Sequence, residues 1–255
     1  MKIYRFKHGE RVLYGILKED TLYPVEGSIY RKFSVGDAGI PIGEVELLPP
    51  AEPTKIVAIG SNYRDHAQEM GKPLPAEPLI FIKPSSAVIG PGGIIRYPEI
   101  SKRVDYEGEL ALVIRKESRL LGDHDDTAEY ILGYTCFNDI TARDLQIKDG
   151  QFTRAKGFDT FAAFGPCVVT DLDPSRLEIK TFLNGKLKQS SNTHHLIFPV
   201  PFLVRFISQI MTLYPGDMIT TGTPAGIGPM EPGDRVDVQI EGIGTLSNTV
   251  AKIRE

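Results

Sequence analysis

Two glutamates precede an apolar, uncharged stretch of the chain. Glu107 and Glu109 stand two positions apart in VDYEGELALVI, residues 104–114. Because the side chains of a strand alternate between its faces, Asp105, Glu107 and Glu109 should share one face. Residues 110–114 are apolar on both faces, which predicts a strand buried on both sides, with the acids near a core. Buried like charges require a proton or a cation, such as a metal ion. Exposed acids at the wet entrance of a strand are the other interpretation.

A third acid follows a second predicted strand. Asp139 comes just after YILGYTCF, residues 130–137, a segment that could form a strand beside the glutamates. Three carboxylates without a histidine favour Mg²⁺, Mn²⁺ or Ca²⁺ over zinc or copper. An Asx turn or a helix cap at Asn138 and Asp139 would explain the same residue without a metal. Both interpretations stay open at this point.

A histidine and a glutamate have the spacing of a general base. His66 and Glu69 lie three positions apart in a helix predicted over residues 62–70, which Asn62 could cap. At that spacing the carboxylate can raise the basicity of the imidazole. A surface helix also carries such a pair by chance.

Cations, glycines and histidines occur in three further segments. Arg154 and Lys156 precede an aromatic-rich stretch, where a cation could bind an anionic substrate, steady an enolate oxygen or simply be solvated. The loop TTGTPAGIGP, residues 220–229, could hold a carboxylate through backbone N–H groups, but it lacks the lysine of a nucleotide-binding loop. His194 and His195 are adjacent, so on a strand they would face opposite sides and could not easily share a metal.

The composition excludes several classes of function. The chain has 255 residues and a net charge of -4, which offers no basic surface for nucleic acid. It begins without an apolar signal segment and contains no run long enough to span a membrane, so we expect a cytoplasmic protein. Cys136 and Cys167 lack a Cys-x-x-Cys spacing, which predicts two reduced, buried thiols.

Turn residues predict two domains. Residues 1–50 alternate between apolar and polar positions, which predicts a small N-terminal β domain. The proline-rich LLPPAEPTK, residues 47–55, leads into a catalytic domain over residues 51–255. Most of its periodic segments read as strands, so we expect a mainly β fold with short helices, a β-rich α+β class.

Two more helices are predicted in the second domain. One begins in ITARDLQ, where Thr141 and Asp144 have the spacing of a capping box. The other covers PVPFLVRFISQIM, residues 199–211, and should pack one apolar face on the sheet. The residues of that face are Phe202, Leu203, Phe206, Ile207 and Ile210.

These segments together resemble the fumarylacetoacetate hydrolase family, in particular its short members with acylpyruvate hydrolase, oxaloacetate decarboxylase or 2-hydroxyhepta-2,4-diene-1,7-dioate isomerase activity. The resemblance covers residues 55–250. It rests on blocks in the family's order: IGSNYRDHAQEMG, DYEGELALVI, NDITARDLQ, KGFDTFAAFGP, QSSNTHHLIF and PGDMITTGTPAGIG. It implies a β-sandwich-like roll closed around Mg²⁺, usually in a homodimer. Two departures leave the substrate open: histidines follow Thr193 where small residues are common, and Ala225 gives the glycine loop no charge.

The resemblance implies a role for each candidate residue. His66 and Glu69 would activate water on a short lid helix, and Lys156 would stabilise enolate charge. The implied metal ligands are Glu107, Glu109 and Asp139. The implied substrate-binding residues are Arg143, Gln146 and Thr223. Arg143 and Gln146 lie three apart on a predicted helix, so both could face the metal.

These roles describe a Mg-dependent enzyme, or a Mn- or Ca-dependent one, that acts on a small anionic 2-oxo acid through a stabilised enolate. Hydrolytic carbon–carbon cleavage of an acylpyruvate, with release of pyruvate, is the favoured reaction. Oxaloacetate decarboxylation and tautomerisation or isomerisation of 2-hydroxy-dienedioates are the alternatives at the same site. A non-catalytic binding module with a structural metal is the remaining alternative, although such a metal needs no neighbouring base or cation.

The double variant Glu107→Ala, Glu109→Ala should lose divalent-cation binding, because two of the three proposed oxygen ligands are removed. Calorimetric titration with Mg²⁺ or Mn²⁺ measures the loss. Cation binding equal to that of the unchanged protein would place the metal elsewhere and show that the interpretation from the strand period is wrong.

Overall fold

The computed structural model describes residues 1–69, 71 and 73–252, without the side chains of His66 and Ala67. The N-terminal strands are β1 Lys2–His8, β2 Arg11–Lys18, β3 Thr21–Gly27, β4 Phe33–Val35, β5 Ile40–Pro41 and β6 Glu46–Leu48. Next come β7 Lys55–Gly60, β8 Leu79–Pro84, β9 Val88–Ile89, β10 Ile94–Arg96, β11 Val104–Tyr106, β12 Gly108–Ile114 and β13 Ile131–Asp139.

The remaining strands are β14 Thr141–Ala142, β15 Ala162–Val169, β16 Glu178–Leu183, β17 Lys186–Asn192, β18 Met218–Thr220, β19 Gly228–Met230, β20 Arg235–Ile240 and β21 Gly244–Ala251. The helices are α1 Arg64–Glu69, α2 Arg143–Asp149, α3 Thr153–Lys156 and α4 Val200–Ile210. The prediction of a mainly β fold with short helices is confirmed.

The large sheet places β12 in its interior. Among the described residues this sheet has thirteen strands, ordered β4-β3-β2-β1-β15-β13-β12-β18-β7-β8, with β5, β6 and β9 paired at its side. β12 is antiparallel to both of its neighbours, β13 and β18. Leu110, Leu112 and Ile114 pack into one hydrophobic cluster, whereas Ala111 and Val113 pack into another. The prediction that this strand is buried on both sides is confirmed.

A smaller sheet covers one face of the large sheet. It runs β10-β21-β20-β16-β17, and Ile179, Val238 and Leu246 from its strands join the cluster that contains Leu110. The approach is tight at Gly108, where an added Cβ would lie 2.1 Å from Thr181 Oγ1. A glycine between the two glutamates therefore permits the two sheets to pack at this point.

The N-terminal strands extend the large sheet. β1 pairs antiparallel with β15, and β6 pairs with β1. The separation into an N-terminal domain and a catalytic domain stays a prediction.

The predicted capping box is wrong. α2 begins at Arg143, and its N-cap residue, Ala142, makes no side-chain hydrogen bond to the helix. The Thr141 hydroxyl instead donates to Asp139 O at 2.8 Å, and Asp144 accepts from Ser101 Oγ at 2.7 Å. A hydrogen bond to the preceding strand end occupies Thr141, and a tertiary hydrogen bond occupies Asp144, so the reciprocal bonds of a capping box do not form.

The predicted apolar face of α4 is partly wrong. Leu203 and Ile207 are buried, but Phe202 and Ile210 are 43% and 53% exposed. Phe202 stacks on Phe198, with ring centroids 5.5 Å apart, instead of entering the core. The buried face is completed by Val200, Val204 and Ser208.

Cys136 and Cys167 are buried free thiols, as predicted. Burial raises the pKa of the Cys167 thiol to about 11, so this thiol stays protonated and unreactive. Within the described ranges, no helix is both long enough and apolar enough to cross a membrane.

A buried aspartate joins the starts of β7 and β18. Asp217 is fully buried and accepts from Thr54 Oγ1 at 2.7 Å and from Tyr214 N at 2.9 Å. Its carboxylate also pairs with Lys55. Burial alone would raise the pKa of Asp217, but the hydrogen bonds from Lys55, Thr54 and Tyr214 outweigh burial and hold that pKa below its usual value.

Asp217→Asn should lower the free energy of unfolding by on the order of 3 kcal/mol at neutral pH, because a buried ion pair loses one partner. The pKa of Asp217 is lower in the folded than in the unfolded protein. Its ionised form therefore stabilises the fold fully above about pH 4 and loses this effect as the pH falls through the folded pKa. Urea unfolding should show that the two proteins converge in acid. A difference that stays constant with pH would contradict this role.

Candidate active site

Three acids meet where strands β12 and β13 of the large sheet begin and end. Glu107 lies between β11 and β12, Glu109 is the second residue of β12, and Asp139 is the last residue of β13. Antiparallel pairing sets Gly108 opposite Asn138, and Asp139 N donates to Glu107 O at 2.8 Å. One carboxylate oxygen from each acid lies within 4.8 Å of the others. The pairing of β12 with β13 therefore brings the three acids together.

The acids are buried. Glu107, Glu109 and Asp139 are 5%, 1% and 1% exposed, so the interpretation of a wet strand entrance is wrong. Asp105 is also buried, but it lies in β11, which pairs with β14 and β19 in a separate sheet. It accepts from Arg143 Nε at 2.9 Å. Arg143 also bonds Glu107, and Glu107 lies beside Glu109, so these contacts agree with the predicted common face of the three acids although the chain changes sheets at Glu107.

Lys156 and Arg143 contact the acids directly. Lys156 Nζ donates to Glu107 Oε2 at 2.8 Å and to Asp139 Oδ2 at 2.5 Å. Arg143 Nη2 donates to Glu107 Oε1. Both cations are buried, at 2% and 6% exposure, which makes solvation an unsuitable explanation for them.

Sequence reasoning missed a further cation, Lys83. Its side chain is fully buried in β8, and Nζ donates to Asp139 Oδ1 at 2.5 Å and to Ile140 O at 3.2 Å. The available signal was a single charge in the otherwise apolar segment LIFIKP, because a lysine that is buried requires a carboxylate partner.

Burial and charge shift the pKa values of these groups in different directions. Burial, together with the neighbouring Asp139 and Glu107, raises the pKa of Glu109 well above its usual value. Burial lowers the pKa of Lys83 to about 8, because it outweighs the attraction of Asp139. Burial would also lower the pKa of Lys156, but the negative charges of Asp139 and Glu107 outweigh burial and raise that pKa above its usual value. Lys156 is therefore a permanent cation.

A cavity of about 40 Å³ adjoins the acids. Its other polar lining residues are Ser61, Arg143, Gln146, Lys156 and Thr223, and its apolar wall includes Ile59, Phe81 and Phe152. A larger cavity of about 310 Å³ at the start of β13 contains none of these residues. The smaller cavity is the candidate site because the acids and four of the residues expected to act on substrate line it.

Phe81 and Phe152 form a wall that sequence reasoning missed. Their rings meet edge to face, with centroids 5.1 Å apart. Lys156 Nζ lies 5.2 Å from the Phe81 centroid, within the range of a cation–π contact. The wall keeps the ammonium group in an environment with little water.

Arg143 and Gln146 share one face of α2, as their spacing predicts. Arg143 Nη1 donates to Gln146 Oε1 at 2.5 Å, and both residues line the cavity. Thr223 is held differently: its hydroxyl donates to Gly108 O at 2.9 Å and accepts from Gln189 Nε2 at 2.8 Å. A substrate-binding role for Thr223 stays a prediction, since its hydroxyl proton already has an acceptor.

The glycine loop binds carboxylates of the protein itself. Gly222 N donates to Glu109 Oε2 at 2.8 Å, and Gly226 N donates to Glu69 Oε1 at 3.0 Å. Glu69 thereby ties α1 to the loop. The side chain of His66 lies outside the described residues, so its pairing with Glu69 stays a prediction.

Asn62 does not cap α1. Its amide donates to Thr221 O at 2.8 Å, and its carbonyl oxygen accepts from Phe198 N at 2.8 Å. Gly222 has a φ of +93° and a Cβ there would lie 2.9 Å from Asn62 Cβ, so glycine suits this contact. Asn62 joins the chain just before α1 to the glycine loop.

The adjacent histidines do not face opposite sides. Thr193–His195 form a turn of 3₁₀ helix, and the rings of His194 and His195 lie 3.8 Å apart, both exposed. The prediction assumed a strand and is wrong for that reason. Neither ring lines the cavity. Arg154 pairs with Asp149 at the surface, with Nε 2.7 Å from Oδ2, which agrees with a solvated cation.

The cluster of Glu107, Glu109 and Asp139 fits a hard divalent cation. All three donors are oxygens, which Mg²⁺, Mn²⁺ and Ca²⁺ prefer. Each carboxylate oxygen has more than one acceptor site, so the bonds from Lys156, Lys83 and Arg143 leave capacity for a metal. Asn138 fixes the local backbone, since its Oδ1 accepts from Glu107 N at 2.9 Å.

Comparison with known proteins identifies the family. A family model described as fumarylacetoacetate (FAA) hydrolase C-terminal matches residues 55–251, and an Rv2993c-like N-terminal model matches residues 1–50. The chain belongs to the fumarylacetoacetate hydrolase family. The resemblance found in the sequence is confirmed, and members of this family with named reactions are enzymes.

Two named relatives in the fumarylacetoacetate hydrolase family are oxaloacetate tautomerases. Oxaloacetate tautomerase YisK of Bacillus subtilis is 42% identical, over 82% of this chain and 74% of that protein. The mitochondrial oxaloacetate tautomerase Fahd2a of Rattus norvegicus is 41% identical, over 83% of this chain and 71% of that protein.

Solved structures of the same family share the fold. The 2-hydroxyhepta-2,4-diene-1,7-dioate isomerase of Mycobacterium marinum has a TM-score of 0.93 and 41% identity, with 100% of each chain covered. Maleylpyruvate hydrolase of Sphingobium sp. SYK-6, in complex with manganese (II) and pyruvate, has a TM-score of 0.83 and 28% identity, also with 100% of each chain covered.

Proposed function

We propose that this chain is a divalent-metal-dependent enzyme that interconverts the keto and enol forms of a short 2-oxo dicarboxylic acid. The observation that carries the proposal is a small buried cavity in which N–H donors surround three carboxylates. Relatives above 40% identity named as oxaloacetate tautomerases, and a dienedioate isomerase of the same fold, support proton transfer as the reaction.

The spare hydrogen-bonding capacity of the cavity suits an anion. Lys156 has three N–H donors and uses two of them on Glu107 and Asp139. Arg143 has further N–H groups beyond those bonded to Asp105, Glu107 and Gln146. Because the Gln146 oxygen accepts from Arg143, the amide N–H groups of Gln146 are what it can offer a ligand. Carboxylate and keto oxygens of a 2-oxo acid are the matching acceptors.

The residues divide the work by their chemistry. A divalent cation held by Glu107, Glu109 and Asp139 would supply Lewis-acid stabilisation of an enolate. Lys156 would donate an N–H to the enolate oxygen, where negative charge appears only during reaction. Arg143 and Gln146 would bind the substrate carboxylate and orient the reacting carbon. The cation in the cell would be Mg²⁺, Mn²⁺ or Ca²⁺.

Proton transfer needs a base. We assign it to His66, with Glu69 held against the loop by Gly226 N. His66 takes a proton from the carbon beside the keto group, and the C–H electron pair forms a carbon–carbon double bond. The carbonyl π-electron pair moves to oxygen, which then receives the proton from the His66 imidazolium, directly or through water; this gives the enol and restores the neutral base. The wall of Phe81 and Phe152 would limit the access of water to this centre.

Hydrolysis, which the sequence favoured, is the second candidate. The spacing of His66 and Glu69 suits water activation, and the manganese-bound maleylpyruvate hydrolase has the same fold. In this reaction water attacks the distal carbonyl of an acylpyruvate, and pyruvate leaves as its enolate. Oxaloacetate decarboxylation would need the enolate stabilisation without the water. The homodimer stays a prediction.

Two assays on the purified protein with Mg²⁺ or Mn²⁺ separate the candidates. In the first assay, we expect the metal-loaded protein to accelerate the ketonisation of enol-oxaloacetate, which is measured as the loss of enol absorbance. In the second assay, we expect little pyruvate to be released from acetylpyruvate. Glu109→Gln, which removes a proposed metal ligand, should abolish the acceleration. Faster pyruvate release than ketonisation would replace the tautomerase assignment by the hydrolase, and carbon dioxide release from oxaloacetate would replace it by the decarboxylase.

Lys156→Met should lower kcat for the identified substrate by roughly 10² to 10³, with little change in KM, because its N–H binds charge that exists mainly in the transition state. Steady-state kinetics measures both constants. Lys148→Met, an exposed lysine on α2, is the matched control and should leave kcat unchanged. A raised KM with unchanged kcat would instead assign Lys156 to ground-state binding.

A further inference from the structure

Lys83 reaches the acids from a different direction than Lys156. Phe81 and Lys83 lie two positions apart on the edge strand β8, so their side chains share one face of it. Ile82, between them, points to the other face and is 43% exposed. Phe81 lines the cavity, but Lys83 does not. The lysine is fully buried behind Asp139, so it cannot touch a substrate in the cavity.

The two lysines divide the carboxylate of Asp139 between them. Lys156 donates to Oδ2, and Lys83 donates to Oδ1 and to Ile140 O, both at the end of β13. A single ammonium group thus bonds the side chain of Asp139 and the backbone of the next residue. These two bonds restrict the rotation of the carboxylate, because the backbone carbonyl is itself fixed.

We propose that Lys83 is a positioning residue for metal binding: it holds Asp139 in the orientation in which that carboxylate binds the divalent cation. The proposal rests on the proposed metal site. Partners of this kind orient metal-binding side chains, and their removal typically weakens metal affinity by roughly 10- to 100-fold.

Charge and orientation predict opposite effects of removing Lys83. A positive group near a divalent cation repels it, so by charge alone the loss of Lys83 would strengthen metal binding. If Lys83 orients Asp139, its loss weakens metal binding, because the carboxylate gains alternative rotamers. The sign of the change in metal affinity therefore distinguishes the two effects without any measurement of activity.

A lysine on the neighbouring strand provides a matched control. Lys55 of β7 pairs with the buried carboxylate of Asp217, away from the cavity. Lys55→Met and Lys83→Met make the same substitution in the same kind of ion pair on paired strands. Both should lower the denaturation midpoint, but only Lys83→Met should alter metal binding.

The experiment is a titration of each purified full-length variant with Mn²⁺. Binding is measured by calorimetry or from the electron paramagnetic resonance signal of free Mn²⁺. We expect Lys83→Met to bind Mn²⁺ about 10- to 100-fold more weakly, and Lys55→Met to bind it as the unchanged protein does. Equal or tighter binding by Lys83→Met would overturn the proposal.

Two further variants keep the outcome interpretable. If Lys83→Met does not fold, Lys83→Ala replaces it, since its small side chain has no N–H donor and leaves room for water; wild-type Mn²⁺ affinity in Lys83→Ala would overturn the proposal, and weaker binding would support it. Glu109→Gln tests the metal site itself. If Glu109→Gln retains Mn²⁺ binding, the metal site is wrong; if it loses binding while Lys83→Met does not, only the role of Lys83 is wrong.

Discussion

The fold is organised around the burial of three carboxylates within 4.8 Å of one another. Their mutual repulsion in a region with little water would oppose folding unless cations lie beside them. Lys83, Lys156 and Arg143 supply these charges, each through a direct hydrogen bond. These bonds reach Glu107 and Asp139, whereas Glu109 accepts from Gly222 N and has a raised pKa. A divalent ion at the site would therefore favour the ionised form of Glu109.

The two sheets support this charge cluster from opposite sides. The large sheet carries Glu109 and Asp139 on paired strands, and the smaller sheet contributes Gln189 of β17. Gln189 accepts from Gly108 N at 2.9 Å and donates to Thr223 Oγ1 and Pro224 O, both at 2.8 Å. One buried amide therefore connects the backbone between the glutamates with the loop that lines the cavity, so the packing of the sheets and the shape of the site are coupled.

Strand periodicity was sufficient to predict the buried acids, because the alternation of side chains along a strand is set by local geometry. The alternation in residues 104–114 indicated buried acids, and the neighbouring predicted strand indicated Asp139. Lys83 escaped prediction because its partner lies 56 positions away and nothing in a single lysine identifies that partner. The capping box at Thr141 and the opposed histidines failed for the reverse reason: local spacing suggested one geometry, but Thr141 bonds back to Asp139 O, Asp144 bonds the distant Ser101, and the histidines lie in a 3₁₀ turn. The pairing of His66 depends on a side chain outside the described residues.

The position of β12 has a consequence for how the protein fluctuates. This strand has hydrogen-bonded neighbours on both sides and is buried along its whole length, so its amides should exchange with solvent only through global opening. The cavity wall is built from lower-stability parts: Phe81 on an edge strand and Phe152 in the turn before the four-residue helix α3. Ligand entry would therefore open the wall while the acids stay in place. Such a division would let relatives change their walls, and with them their substrates, while the acids are retained.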